Sequence, residues 1–219
     1  MRLNGLLALI NGRSDWLYIG SPDCCRIGPY HHGHPPDNAV VTGIVHSILQ
    51  QSRDFIPELD FIAEMEGRVV GQIVYSRGVV RSSLGEDREV IGFGPVSVLP
   101  AYQKQGIGGA LITHTIRLAR RLGYPAICIY GDPRYYSRFG FRCAERYEIK
   151  TADDKYAVAL LALELKAGAL QDMPGRFIES PAFAVDEDEF ARYDAAFPFK
   201  EKHETDSQRE FMLLASLRY

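Results

Sequence analysis

The chain has 219 residues, 46% of them hydrophobic and 24% charged, with a formal net charge of −3. That balance excludes wholesale disorder and a collagen-like fibre, and it argues against nucleic acid as the main partner. Apolar runs such as Val158 to Leu163 fall far short of the roughly 20 residues a membrane helix needs. Leu6 to Ile10 is too short for a signal-peptide core, and Asn11-Gly12-Arg13 follows it in place of a small-residue cleavage site. Four cysteines are too few for a disulfide scaffold, so reduced thiols in a cytoplasmic protein are expected.

Residues 1–36 form an atypical N-terminal segment without periodicity beyond the short apolar start. Cys24, Cys25, His31, His32 and His34 crowd together there, but their spacing fits no zinc knuckle, so no metal site is assigned. Patterned sequence occupies 37–165. Asp37 or Asn38 can cap a helix whose apolar face is Val41, Val45, Ile48 and Leu49. Phe61-Ile62-Ala63 and Val69 to Val80 read as strands joined at Glu66-Gly67. A third strand, Val90 to Leu99, contains Gly92, Gly94 and Pro95, and is expected to bulge and splay near its middle. A glycine-rich turn leads into a helix with Ile107, Leu111, Leu118 and Leu122 on one face, stopped by Gly123. Arg117, Arg120 and Arg121 lie elsewhere on it and read as a solvated face.

Ala126 to Tyr130 is a buried strand that places Cys128 in the core. Pro133 to Phe139 is a short helical segment, and Tyr156 to Leu165 reads as the last long strand. Alternating helices and strands predict an α/β (α+β) architecture around one central mixed sheet. Residues 166–199 form an extension packed on the core. Within it, Pro181 to Pro198 is either a short helix or a lid. Residues 200–219 form a polar tail.

The chemistry is carried by Val96-Ser97-Val98-Leu99-Pro100-Ala101-Tyr102-Gln103-Lys104-Gln105-Gly106-Ile107-Gly108-Gly109. It spells a strand, a tight glycine turn and a helix start. Unpaired N–H groups at a helix start face outward and favour an anion, and glycines let a phosphate approach the main chain. The run is not a P-loop, because no Gly-Lys-Ser/Thr closes it. Nor is it the dinucleotide fingerprint, because the third glycine is missing at the required offset.

Gln103-x-x-Gly106-x-Gly108 after a Val-x-Val-x-Pro strand resembles the acyl-CoA signature of the GNAT N-acetyltransferase superfamily. Tyr135-Tyr136-Ser137-Arg138-Phe139-Gly140-Phe141 resembles the Tyr-x-x-x-Gly-Phe that follows one strand later in that family. Gly131 to Tyr136, Asp54 to Phe61 and Gly175-Arg176-Phe177 resemble a bacterial branch of it, so the likeness spans about residues 38–199 in order. It implies a GNAT-type fold with the sheet splayed at the bulged strand and helices on both faces.

The resemblance also implies roles. Val96, Ser97 and Val98 would lie along the pantetheine arm, with the main chain of Val96 and Val98 pairing to it. Gln103, Lys104, Gln105, Gly106, Ile107, Gly108 and Gly109 would hold the pyrophosphate. Tyr136 would be the general acid at the departing thiolate. A free N–H at Gly94-Pro95 would polarise the thioester. The expected reaction is acetyl transfer from acetyl-CoA to a primary amine by direct attack in a ternary complex, without a metal, in a monomer or homodimer. A catalytically impaired acyl-CoA-binding sensor is the alternative. Glu64 and Asp60 are the carboxylates weighed as base, and neither is chosen. The chain departs from the family pattern at both ends, where residues 1–36 lack the opening strand and the tail beyond Lys202 differs.

Overall fold

The computed structural model describes residues 45, 48–65, 68–184, 188, 191, 192, 195 and 206–219. The expectations for residues 1–36, the cap at Asp37 or Asn38 and the Glu66-Gly67 turn lie outside the described residues, as does most of Pro181 to Pro198. Among the described residues there are eight strands: β1 (Phe61–Met65), β2 (Arg68–Arg81), β3 (Asp87–Val98), β4 (Ala126–Tyr130), β5 (Arg142–Cys143), β6 (Ile149–Lys150), β7 (Leu160–Glu164) and β8 (Gly175–Ile178). Among the described residues the helices with both ends defined are α1 (Ile107–Arg121), α2 (Pro133–Tyr136) and α3 (Asp206–Ser216). The strands pair in the order β5-β7-β4-β3-β2-β8-β6, and β1 also pairs with β2. The sheet is mixed, with β3/β4 and β6/β8 parallel and the pairs β1/β2, β2/β8, β4/β7 and β5/β7 antiparallel.

The chain forms two compact units. The first takes the described residues up to Tyr75, Gly94–Thr115 and those from Ala182 to Glu204; the second takes Ser76–Phe93, Ile116–Pro181 and those from Thr205 to Tyr219. In the first unit β1 runs antiparallel to the start of β2, with Phe61 opposite Ile73 and a register shift between Ala63 and Glu64. Val45, Leu49, Val74 and Ala182 pack together under Ile48, Phe55 and Phe183. The Thr115 hydroxyl donates to the Leu111 carbonyl at 2.8 Å, so its single hydrogen is spent. The buried Tyr75 hydroxyl, 2.8 Å away, is therefore the donor to Thr115.

In the second unit Val80, Val90, Cys128, Ile149, Leu160, Met173 and Phe177 are among the residues that form one apolar cluster. Each large aliphatic or aromatic side chain so buried contributes roughly 1.5–3 kcal/mol. β4 pairs with β7 over five positions, from Ala126↔Glu164 to Tyr130↔Leu160. Its pairing with β3 is confined, among the described residues, to Ile91↔Ile127. That is the splay expected from the Gly92, Gly94 and Pro95 interruptions, and the Gly94–Pro95 peptide is cis.

Two expectations need correction. The strand read over Tyr156 to Leu165 is shorter, because Leu160 N–H turns back to the Ala157 carbonyl at 3.1 Å before β7 begins. A shorter strand, β8, follows it and joins the sheet beside β2. Leu122 lies beyond the end of α1 and is 46% exposed, while Ile112, Ile116 and Ala119 carry the buried face with Ile107 and Leu111. The polar tail holds an 11-residue helix, α3. Tyr219 exchanges two backbone hydrogen bonds with Tyr156 at 2.9 and 3.1 Å, which ties the tail to the second unit.

Burial pushes the Cys128 thiol up to about 12. Its thiolate fraction at pH 8 is then about 10⁻⁴, and the thiolate is the reactive form. Cys143 is exposed. Iodoacetamide at pH 8 is expected to label Cys143 and spare Cys128 in the folded chain, as read by peptide mapping. Labelling of Cys128 before unfolding would contradict its buried placement.

Candidate active site

The first unit holds every residue expected to bind the cofactor. Leu99 N–H donates to the Val70 carbonyl at 2.8 Å, which fixes the orientation of the strand end. Backbone groups of successive strand residues point to opposite edges. The main-chain groups of Ser97 therefore face β2, and those of Val96 and Val98 face the other edge. Gln103 confirms this for Val98, since its Nε2 donates to the Val98 carbonyl at 3.1 Å. Val96 N–H and C=O and Val98 N–H remain on that edge. Ser97 is buried, and Val96 and Val98 are half-buried.

Beyond β3 the chain makes a single 3₁₀ turn, Pro100–Tyr102, opened by proline. Gln105 Nε2 then donates to the Ala101 carbonyl at 3.1 Å, which ties the loop back on itself. Lys104 and Gly106 both take positive φ, +60° and +89°. Gly106 meets that requirement without the Cβ strain any other residue would carry. The first helical hydrogen bond is Ala110 N–H to the Gly106 carbonyl at 2.9 Å. Among the described residues, the N–H groups from Lys104 to Gly109 have no backbone acceptor. Gln103, Lys104, Gln105 and Gly106 are exposed, while Ile107 turns its side chain into the core. A row of unpaired donors thus lies at the positive end of a 15-residue helix, an arrangement that favours an anion.

Tyr136 lies in the second unit, and its position follows from local chemistry. Asp132 caps α2 by accepting from Arg134 N–H at 2.8 Å, and Pro133 sits at the first helical position, where its missing N–H costs nothing. The Arg134 guanidinium reaches back to both Asp132 oxygens and across to Glu210 of α3, 2.7 Å away. The hydrogen bonds from Arg134 hold the Asp132 carboxyl below the usual carboxylate range. Tyr136 closes the turn by donating its N–H to the Asp132 carbonyl at 3.0 Å.

Its ring is 7% exposed and packs against Tyr135, Phe141, Phe93 and Phe139, with centroids 5.0, 5.8, 5.9 and 6.4 Å away. Such aromatic contacts contribute about 0.5–1.5 kcal/mol each beyond area burial. The hydroxyl makes no hydrogen bond to a described residue, yet no described polar side-chain atom is both sealed and unpartnered. Burial pushes the phenol above the ordinary tyrosine range, and nearby Tyr135 and Asp132 push it the same way.

Sequence reasoning did not identify what Gly131 does. A Cβ there would stand 2.6 Å from Tyr136 Cδ2, inside the ring's van der Waals surface. The signal was a glycine directly before the Asp-Pro cap, which sets how closely the ring can lie on the chain. Gly131→Ala is expected to cost about 1–3 kcal/mol in urea unfolding, as overpacking does. Most of that cost should vanish in a Tyr136→Leu background. An equal cost in both backgrounds would show that Gly131 does not set the ring's place.

Of the two carboxylates weighed as base, Asp60 is 2% exposed and Glu64 is half-buried in β1. Among the described residues no three His, Cys, Asp or Glu side chains converge as metal ligands, and no helix is long and apolar enough to cross a membrane.

The family model described as "Acetyltransferase (GNAT) domain" matches residues 58–143. The N-acetyltransferase YhbS of Escherichia coli K12, itself uncharacterized, is 34% identical over 85 residues, which are 39% of this chain and 49% of the relative. YjhQ of the same organism, also an uncharacterized N-acetyltransferase, is 35% identical over 89 residues, 40% of this chain and 49% of the relative. The matched stretch spans about half the length of these curated relatives. A GNAT family acetyltransferase from Brucella melitensis, solved in complex with acetyl-CoA, superimposes with a TM-score of 0.60 at 24% identity, covering 82% of this chain and 99% of that one. The structure of E. coli YhbS in complex with CoA superimposes with a TM-score of 0.58 at 24% identity, covering 69% and 81%. The chain therefore has the GNAT α/β fold, and its residues 58–143 match the model of a GNAT acetyltransferase domain.

Proposed function

We propose that this protein transfers an acetyl group from acetyl-CoA to a primary amine by direct attack in a ternary complex. One observation carries the reading above the others: the unpaired N–H row from Lys104 to Gly109 at the start of α1, inside the matched GNAT stretch. Those donors suit the CoA pyrophosphate, with the Lys104 ammonium adding a charge-assisted contact. The open main-chain groups of Val96 and Val98 suit the amides of the pantetheine arm, which would add as a further strand. Relatives of this fold bind the same molecule, since those compared above hold CoA or acetyl-CoA.

In the reaction, the neutral amine attacks the thioester carbon and forms the C–N bond. The C–S bond breaks, CoA leaves as a thiolate, and the proton from nitrogen passes to water or a base. Tyr136 is proposed to stabilise the departing thiolate. Full proton transfer from a phenol of pKa about 10 to a thiolate of about 8.5 is uphill by roughly 2 kcal/mol even before burial. Burial raises that cost further, so Tyr136 acts by donating a hydrogen bond as sulfur charge develops. Free Cys128 and Cys143 support a reducing, cytoplasmic setting for this chemistry.

The test is thiol release from acetyl-CoA over a panel of primary amines: small-molecule, polyamine, amino-acid and peptide N-terminal. Release above the hydrolysis background with one amine class is expected. Failure of acetyl-CoA to bind at millimolar concentration would refute the reading.

A further inference from the structure

Across β2, β8 and β6, three cations stand at one register. Arg81 of β2 is paired with Arg176 of β8, and Arg176 with Lys150 of β6. Directly opposed residues share a sheet face with Cβ atoms roughly 5 Å apart, where like charges repel. The two outer cations are neutralised from their own sides. Arg81 donates to Asp87 through Nε at 2.6 Å and Nη2 at 2.8 Å, and Lys150 Nζ lies 3.2 Å from Asp154. Arg176, the central one, makes no ion pair among the described residues. All three line a cavity of about 250 Å³, to which Tyr156 and Ser83 add hydroxyl-bearing walls. Lys150 Nζ also sits 5.3 Å from the Tyr156 ring centroid, over its face.

We propose that this cavity binds a small phosphate dianion, with the Arg176 guanidinium as its principal contact. The planar guanidinium fork matches two phosphate oxygens at once. With Arg81 and Lys150 balanced by Asp87 and Asp154, Arg176 is the cation of the row left for a dianion to meet. The volume is below the roughly 300–1,000 Å³ of sites for drug-sized ligands, so the phosphate carries at most a few-atom body. Glu148 and the Lys150-paired Asp154 also line the cavity, and their carboxylates disfavour a ligand with a second anionic group. The site lies within the second unit and depends neither on acetyl-CoA nor on Tyr136.

The test is titration of ¹⁵N-labelled full-length protein with inorganic phosphate and, in a separate arm, glycerol 3-phosphate. Saturable amide shifts are expected at Lys150, Gly175 and Arg176. R176A, altered at an exposed side chain, should keep the folded spectrum and weaken binding at least tenfold, with R176K intermediate. Tighter binding of glycerol 3-phosphate assigns the ligand as a phosphate ester, and tighter binding of inorganic phosphate assigns it as the free ion. Shifts confined to Lys104–Gly109, or shifts at Lys150 and Gly175 that persist unchanged in R176A, would overturn the proposal.

Discussion

Gly106→Ala is expected to weaken acetyl-CoA binding roughly 10²-fold while leaving a folded protein. Gly106 holds φ at +89°, and a Cβ added there meets nothing within 4 Å. In the free protein the substitution therefore costs only the left-handed strain of about 1–2 kcal/mol. In a protein of this size that lowers the Tm by roughly 2–8 °C. Relaxing the strain turns the N–H groups of the Lys104–Gly109 row away. Losing one or two charge-assisted hydrogen bonds, at about 1.5–3 kcal/mol each, sets the size of the effect. Isothermal titration measures it, with a thermal melt as the control for folding. A Kd within threefold of wild type would separate the cradle from CoA binding.

Tyr136→Phe is expected to lower kcat about 10²–10³-fold with the acetyl-CoA Kd nearly unchanged. Phenylalanine keeps the ring packing against Tyr135, Phe93 and Phe141 and removes only a hydroxyl that bonds no described residue. The Tm should therefore stay close to wild type. The magnitude is that of a lost donor at a developing charge. The pH profile adds an independent check. Because burial raises the phenol's pKa above its ordinary value, Tyr136 keeps its proton throughout the range below about pH 10. The wild-type rate should climb with pH as the acceptor amine loses its proton, with no descending limb before pH 10. A fall near pH 8–9 with the reference amine would point to a different acid.

The cradle was legible because its parts are adjacent in sequence. A Val-x-Val-x-Pro strand, Gln103 and three glycines at the start of an amphipathic helix already describe strand, turn and dipole. The splay of β3 from β4 was legible for the same reason, since Gly92, Gly94 and Pro95 stand in one strand. Features that depend on distant residues meeting were not. β8 has only four residues and no alternation to mark it, and it becomes a strand because β2 and β6 flank it. The helix α3 was hidden by its charged lead-in, and its tie to α2 rests on Arg134 meeting Glu210, 76 positions apart. The row of Arg81, Lys150 and Arg176 exists only once three strands are in register. Tyr136 was nameable from its motif, but its enclosure by Phe93 and its contact with Gly131 were set by packing.

Amide chemical shifts of ¹⁵N-labelled protein titrated with CoA test the central claim most directly. Lys104, Gln105, Gly106, Ile107, Gly108 and Gly109 should show the largest saturable changes, with Val96 and Val98 next, because their N–H groups are the donors left open. Saturable CoA binding that leaves the Lys104–Gly109 amides unmoved would contradict it.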